Sequence, residues 1–148
     1  MSDSPFEPLD PEFDSRVRTS FSRQAVMALL GASLLRVDAG AVDISLPFRT
    51  DHTQQNGFLH AAITTAIADS ACGYAALSLM PPGSEVLTIE FKVNLLRPAV
   101  GALFVAEGRV LKPGRTITVA RADVFARGET SSTLIATMLA TMMRQIIP

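Results

Sequence analysis

The sequence predicts an α+β domain in which an antiparallel sheet of five to six strands encloses one long helix. The helix is indicated by residues 60–79, which are rich in alanine, contain neither proline nor valine, and are apolar on nearly every side. Two short strand-like segments precede this helix, and three or four apolar segments separated by turns follow it. Strands grouped around a single buried helix favour a curved sheet that the helix fills.

Length and composition predict one folded domain with no strongly charged partner. The 148 residues fit a single hydrophobic core, and 48% of them are apolar against 18% charged. The net charge of −1 does not favour nucleic acid or an anionic membrane as a partner. Residues 1–12, with prolines at positions 5, 8 and 11, are predicted to form a flexible arm, and residues 13–148 the folded domain.

Cysteine content and the N-terminal sequence favour the cytoplasm. The single cysteine, Cys72, excludes an internal disulfide, and the first residues show no basic start followed by an apolar run. The most apolar segment carries Asp69 at its middle, and a carboxylate in a membrane span would cost about 2.5–3.5 kcal/mol. A membrane span is therefore not predicted.

The elements before the long helix follow from residue spacing. A first helix is predicted from Asp14 to a stop at Gly31, because apolar residues recur there at every fourth position. These residues are Val17, Phe21, Ala25 and Leu29. Residues 34–37 and 42–48 indicate two strands joined by a tight turn at Gly40.

The elements after the long helix are mainly strands. Pro81-Pro-Gly83 ends the helix, and residues 87–95 then alternate apolar and polar side chains, which predicts a half-buried strand. Residues 103–111 and 116–125 follow as antiparallel strands around a turn at 112–115. Residues 133–143 fit two patterns, since their threonines share a helical spacing while their apolar residues alternate as in a strand.

Asp69 is the most credible catalytic group in the sequence. It is an acid in the middle of an otherwise apolar helix, and its neighbours at helical spacing are small, so a ligand could approach closely. These neighbours are Thr65, Ala66, Cys72, Gly73 and Ala76. The alternative is a carboxylate satisfied by a structural hydrogen bond. Because buried acids are uncommon, the functional interpretation is favoured.

The start of the long helix offers donors for an oxyanion. Free backbone N–H groups near Ala61 and Ala62, together with the positive end of the helix dipole, can polarise a carbonyl oxygen. Gln54 or Gln55 could add a side-chain amide, or both could be solvated loop residues. His60 is either a general base or a group that caps the helix.

Metal and covalent chemistry are not indicated. Two histidines and one cysteine, without paired ligand spacings, predict no metal site, and His52 is expected at the surface. A Gly-x-Ser-x-Gly motif is absent, and Cys72 has no activating partner nearby in sequence, so a covalent acyl-enzyme is not predicted. No cofactor is expected.

Four segments in order carry a family resemblance that covers roughly residues 13–145. They are Asn56-Gly-Phe-Leu-His60-Ala-Ala, Ala68-Asp69-Ser-Ala-Cys-Gly-Tyr-Ala, Phe91-Lys-Val-Asn-Leu-Leu-Arg-Pro-Ala and Gly108-Arg-Val-Leu-Lys-Pro-Gly-Arg-Thr. Together they resemble the PaaI-like (phenylacetic-acid-degradation type) hotdog thioesterases. The resemblance implies a hotdog fold, with the ambiguous tail as a strand, and an acyl-CoA thioesterase.

The resemblance also implies a role for four residues. Asp69 matches the family's general base or nucleophile, and Thr88 matches the hydroxyl residue that helps hold the attacking water. Gln54 and the Ala61 N–H match the donors that polarise the thioester carbonyl. In such proteins, Gln54 and Ala61 come from one subunit and Asp69 and Thr88 from the other, so a homodimer is expected, with a dimer of dimers as the larger assembly.

Two departures from the family pattern concern the oxyanion side. The family's His-Gly-Gly is His60-Ala61-Ala62 here, which keeps the backbone N–H but crowds the space beside it. Glutamine replaces asparagine at position 54, and the neighbouring Gln55 could take its place. The remaining residues expected to contact substrate are Gln55, Asn56, Gly57, His60, Gly73 and Arg115, the last through the phosphates of CoA.

Two other functions remain open at the level of sequence. A hotdog dehydratase acting on a β-hydroxyacyl thioester would use His60 together with an acid across the interface. A non-catalytic acyl-CoA-binding protein would keep the fold without turnover.

Overall fold

The computed structural model describes residues 4–146. Its helices are α1 (Phe13–Arg23), α2 (Ala25–Leu30) and α3 (Ala61–Leu77), with one short 3-10 turn at Thr50–His52. Its strands are β1 (Ser33–Asp38), β2 (Ala41–Pro47), β3 (Ser84–Leu95), β4 (Leu103–Lys112), β5 (Ile117–Arg127) and β6 (Ser132–Ile146). The strands form one antiparallel sheet in the order β1-β2-β4-β5-β6-β3, and α3 packs across β2 to β6. The predicted α+β architecture is confirmed.

The long helix α3 forms the centre of the core. It begins after His60, whose side chain caps it, and it is buried on every side from Ser70 to Leu77. Its first turn is more exposed, so the predicted buried helix is confirmed for its second half. Alanine dominates the buried part, and its small side chains let the strands approach the helix closely.

The segment before β1 differs from its prediction. A single helix from Asp14 to Gly31 was expected, but the backbone leaves the helix at Gln24, with φ −79° and ψ 94°, and then starts α2. Leu29, predicted to lie on the buried face, is 74% exposed. A strict four-residue repeat drifts about 40° around a helix at each step, so a straight helix could not bury the whole stripe.

The C-terminal segment is a strand, as the family resemblance implies. Ala136, Met138, Ala140 and Met142 are buried and face α3, in agreement with the alternation in the sequence. At the start of β6, a register shift against β5 leaves Ile135 as the extra residue, and Ile135 is buried there in addition to Ala136.

Strand β3 lies at the edge of the sheet and pairs with β6 alone. The prediction of a half-buried strand is wrong for most of it, since Leu87 and Ile89 are 58% and 51% exposed and Phe91 and Leu95 are exposed too. An edge strand with exposed apolar side chains and unpaired backbone groups is typical of a surface that pairs with another chain.

Residues 4–12 contain no helix or strand and lie against the domain. The Phe6 ring packs on the core beside Gly40, and the Asp10 carboxylate forms an ion pair with Arg16 at 3.3 Å. Residues 1–3 of the predicted arm lie outside the described residues. The flexibility of the arm stays a prediction.

Gly108 permits the close contact between β4 and α3. A Cβ atom at this position would lie 2.3 Å from the carbonyl oxygen of Ala71, which is backbone and cannot rotate away. The glycine is therefore a packing requirement of the helix and sheet interface.

Gly108→Ala is expected to destabilise the fold. Overpacking of this kind costs about 1–3 kcal/mol, and the midpoint of thermal unfolding should fall by several degrees. Gly73→Ala is the matched control, because its Cβ would meet Val86 at an ordinary 3.8 Å and alanine favours the helix. Equal stability of Gly108→Ala and the wild-type protein in thermal or denaturant unfolding would contradict the contact.

Candidate active site

Asp69 and Thr88 form the polar centre of the site. Thr88 Oγ1 donates a hydrogen bond to Asp69 Oδ1 at 2.7 Å, joining the middle of α3 to the edge strand β3. Burial raises the pKa of the Asp69 carboxyl above its usual range, while the hydrogen bond from Thr88 acts in the opposite direction. A partly buried carboxylate with a raised pKa is a better proton acceptor than an exposed one, which suits a general base.

A β-bulge at Ile89 aims Thr88 at Asp69. Thr88 lies opposite Met142 and Phe91 opposite Ala140, and both of these β6 residues are buried facing α3. Thr88 and Phe91 are three positions apart, so in a regular strand they would face opposite sides. The extra residue, Ile89, lets both lie on the α3 side of the sheet, and a bulge beside an active site commonly re-aims a side chain in this way.

A cavity of about 240 Å³ adjoins this pair; we call it the Asp69 cavity. Three elements line it: the end of α1 and the break before α2, the middle of α3, and the first half of β3. Its polar and small residues include Ser20, Gln24, Asp69, Gly73, Tyr74 and Thr88. Gly73, predicted to contact substrate, therefore lies beside Asp69.

The predicted oxyanion donors line a different cavity, of about 380 Å³, which we call the Ala61 cavity. The Ala61 N–H has no hydrogen-bond partner among residues 4–146, as is usual for the first residue of a helix. The Gln54 side-chain oxygen accepts a hydrogen bond from the Asn56 N–H, so its Nε2 is the end left to donate. Both residues line this cavity, together with Leu95, Leu96 and Arg97.

One subunit does not bring the four predicted catalytic residues together. Ala61 and Asp69 are eight residues apart on α3, which corresponds to about 12 Å along the helix axis. The two cavities share no lining residue. The chain therefore carries these residues as two separate pairs, Asp69 with Thr88 and Gln54 with Ala61, and we call each pair a half-site.

The loop before α3 holds the other predicted contact residues. His60 Nδ1 accepts a hydrogen bond from the Ala62 N–H at 2.9 Å, so His60 caps the helix. Gln55 and Asn56 are exposed, and Gly57 turns the chain with φ 83°. None of these four residues lines the Asp69 cavity or the Ala61 cavity.

Arg115 lies far from the start of α3. It is exposed in the β4–β5 turn and lines a cavity of about 470 Å³ beside Pro81, Arg144 and Phe6, at the C-terminal end of α3. Within one subunit, the structure does not place Arg115 next to the donors at the other end of the helix.

Sequence reasoning misplaced His52 and missed much of the Asp69 cavity. His52 was expected at the surface but is only 7% exposed; its Nδ1 is buried with no partner among residues 4–146. Its carbonyl oxygen accepts the His60 N–H at 2.9 Å, which holds the start of α3 in place. Ser20 reaches the Asp69 cavity from α1 and Gln24 reaches it from the break between α1 and α2, and nothing in the local pattern signals that break.

The site contains neither an activated thiol nor a recognisable metal cluster. Burial, with the negative charges of Asp69 and Asp123, raises the pKa of the Cys72 thiol to about 12, so the reactive thiolate is disfavoured. Within residues 4–146, no three side chains of His, Cys, Asp or Glu come together as metal ligands would. In the same part of the chain, no helix is long and apolar enough to cross a membrane.

Solved structures share this architecture. A thioesterase family protein from Silicibacter pomeroyi is similar over 91% of this chain and 99% of its own, with 50% identity and a TM-score of 0.89. The E. coli PaaI protein from the phenylacetic acid degradation operon is similar over 93% of this chain and 96% of its own, with a TM-score of 0.82. At 17% identity the second likeness shows the fold alone, and it confirms the predicted hotdog arrangement.

Sequence relatives point the same way. A predicted esterase from Halobacterium salinarum is 31% identical over 111 residues, or 72% of this chain and 73% of that protein. One from Saccharolobus solfataricus is 30% identical over 94 residues, or 64% of this chain and 66% of that protein. The thioesterase superfamily model matches residues 56–133, which include Ala61, Asp69 and Thr88. More than half of the chain fits that model, so the chain belongs to the thioesterase superfamily, and the predicted enzyme class of thioester hydrolase is confirmed.

Proposed function

We propose that the protein hydrolyses acyl-CoA thioesters with Asp69 as the general base. The Asp69 carboxylate takes a proton from a water held with Thr88, and the water oxygen attacks the thioester carbonyl. The Ala61 N–H and Gln54 Nε2 stabilise the resulting oxyanion. The carbon–sulfur bond then breaks, and the proton held by Asp69 passes to the departing thiolate. The hydrogen bond from Thr88 to a partly buried carboxylate is the observation that carries this proposal.

The separation of the half-sites supports an active site shared between two copies of the chain. The edge strand β3 carries Thr88 and presents unpaired backbone and exposed apolar side chains, as a strand that pairs with its own copy would. Pairing around a two-fold axis would bring the partner's oxyanion half-site to Asp69 twice per dimer. A further dimer of dimers remains part of the proposal.

In this proposal, arginine side chains bind the phosphates of CoA. Arg115 and Arg144 line one cavity at the C-terminal end of α3, and guanidinium groups suit phosphate oxygens. We assign Arg115 to the binding of these phosphates at the CoA end of the substrate.

The cap at the start of α3 favours hydrolysis over dehydration. In a histidine-centred dehydratase, the imidazole must accept a proton from substrate. Here His60 Nδ1 already accepts the Ala62 N–H, so that nitrogen is occupied by the helix.

Release of CoA thiol tests the proposal directly. The purified protein is incubated with a panel of acyl-CoAs and a chromogenic thiol reagent. The protein's single cysteine, buried with a pKa of about 12, should contribute little signal. Tight binding of acyl-CoA without thiol release would instead identify a non-catalytic binding protein.

Thr88→Val is expected to move the acid limb of the pH profile for kcat/KM to higher pH. Asp69 works as the carboxylate, so the rate falls as the pH drops through its pKa. The Thr88 hydrogen bond lowers that pKa, and its removal should raise the pKa further. Thr88→Ser, which keeps the hydroxyl, should leave the limb near its wild-type position. If the acid limb of Thr88→Val stays at its wild-type pH, the Thr88 hydroxyl does not hydrogen-bond the Asp69 carboxylate during catalysis.

A further inference from the structure

We propose that the Asp69 cavity binds the acyl group and selects a short, uncharged acyl chain with a hydrogen-bonding substituent at its far end. This inference rests on the proposed thioesterase function and names its substrate class. It follows from the charges, the polar lining and the size of this cavity.

The charged side chains that line each cavity indicate which end of the substrate the Asp69 cavity binds. Besides Asp69, the Asp69 cavity is lined by Glu85, which forms an ion pair with Arg23 at 3.5 Å on the protein surface. Two carboxylates beside one ligand disfavour the anionic phosphates of CoA. The Ala61 cavity is lined mainly by apolar residues, which suit the long, neutral pantetheine arm, and by Arg97, which does not repel the anionic phosphates. The acyl group is therefore the part of the substrate that binds in the Asp69 cavity.

The lining of the Asp69 cavity is polar at the end formed by the helices. Ser20 Oγ donates to Tyr74 Oη at 3.4 Å, and Gln24 Nε2 donates to Ser70 Oγ at 3.2 Å. The Ser20–Tyr74 contact is long, and Gln24 Oε1 also accepts from Ser70 Oγ at 3.3 Å, which leaves one Nε2 proton of Gln24 for a further partner. Because the Tyr74 oxygen accepts from Ser20, the Tyr74 hydroxyl proton remains to be donated to a ligand oxygen.

The helix break supplies part of this polar end. The backbone leaves the helical path at Gln24, and the Gln24 side chain reaches Ser70 on α3. Tyr74 is mostly buried and is held by Phe21, with ring centroids 5.8 Å apart. Burying a non-polar chain end against the Tyr74 hydroxyl would leave its proton without a partner, which costs binding energy.

The size and charge of the cavity limit the acyl group. Within one chain its volume is about 240 Å³, below the roughly 300–1,000 Å³ of pockets for drug-sized ligands, which favours short chains. A terminal carboxylate would face Asp69 and Glu85, so dicarboxylic acyl groups should be rejected.

Three thioesters with the same six-carbon chain test the inference: hexanoyl-CoA, 6-hydroxyhexanoyl-CoA and adipoyl-CoA. We expect kcat/KM to be about 10-fold or more higher for the hydroxylated than for the plain chain, and lowest for adipoyl-CoA. Tyr74→Phe and Gln24→Leu should each reduce the ratio of kcat/KM for the hydroxylated chain to kcat/KM for the plain chain several-fold. Ser22→Ala, at an exposed serine of α1 that bonds Thr19, is the control and should keep the preference.

A parallel binding measurement separates this inference from the proposed activity. Non-hydrolysable analogues of the same three chains, with a methylene between sulfur and carbonyl, are titrated by calorimetry. If no thioester is hydrolysed but the hydroxylated analogue still binds with the lowest Kd, the proposed function is overturned and the cavity assignment is supported. Equal kcat/KM and equal Kd for the plain and hydroxylated chains would overturn the cavity assignment alone. The same holds if Tyr74→Phe and Gln24→Leu both keep the wild-type preference for the hydroxylated chain.

Discussion

Asp69→Asn is expected to lower kcat for acyl-CoA hydrolysis by about 10²- to 10⁴-fold, the usual contribution of a positioned general base. Asparagine has nearly the same shape as aspartate and can still accept the hydrogen bond from Thr88, so the fold should persist. It cannot take a proton from water. Because the loss concerns the transition state, KM should change much less than kcat. Steady-state kinetics by thiol release measure both constants.

Asp51→Asn provides the matched control for this substitution. Asp51 is exposed, forms an ion pair with Arg49, and lines neither the Asp69 cavity nor the Ala61 cavity. Its replacement should leave kcat unchanged, and both variants should unfold at similar temperatures. Wild-type hydrolysis by a folded Asp69→Asn variant would remove Asp69 from the mechanism. Activity that survives there but disappears in His60→Ala would favour a histidine-centred reaction.

Ala61→Pro is expected to lower kcat by about 10²- to 10³-fold, because proline removes one oxyanion donor. The substitution suits the structure, since Ala61 is the first residue of α3 and its N–H has no partner among the described residues. The preceding His60 has φ −63° and ψ 138°, a conformation that a following proline accepts. Ala61→Ser keeps the N–H and should keep most of the activity. Full activity of a folded Ala61→Pro variant would exclude this N–H as a donor.

Mixing the two inactive variants extends this prediction to the assembly. If one active site uses Asp69 of one subunit and Ala61 of the other, a mixed dimer has one intact and one doubly defective site. Random reassociation places half of the subunits in mixed dimers, so the mixture should recover about a quarter of the wild-type activity. No recovery after verified subunit exchange would place both groups in the same subunit's site.

The sequence predicts those parts of the molecule that depend on local spacing. Asp69 stands out because an acid in an alanine-rich helix must be satisfied by something, and the structure supplies Thr88. The free N–H of Ala61 follows from the rules for a helix start, and of the two roles left open for His60 the structure shows the cap. Thr88 itself was identified through the family resemblance, since a threonine in an alternating strand carries no signal of its own.

The features that sequence did not reveal arise where distant segments meet. The bulge at Ile89 turns Thr88 inward against the alternation, and its cause is the pairing of β3 with β6. At the break between α1 and α2, the Gln24 side chain contacts Ser70 of α3, which is 46 residues away in sequence. The burial of His52 depends on a loop that lies against the start of α3. None of these contacts is present in a local window of residues.

The distance of about 12 Å between Ala61 and Asp69 along α3 has a consequence for when the protein can act. If the half-sites meet only across subunits, an isolated chain is fully folded at its own core and still unable to turn over substrate. Specific activity would then fall on dilution below the dissociation constant of the dimer, following mass action. Dimerisation would then activate the enzyme, and a newly made chain would not hydrolyse thioesters until it had bound a second copy.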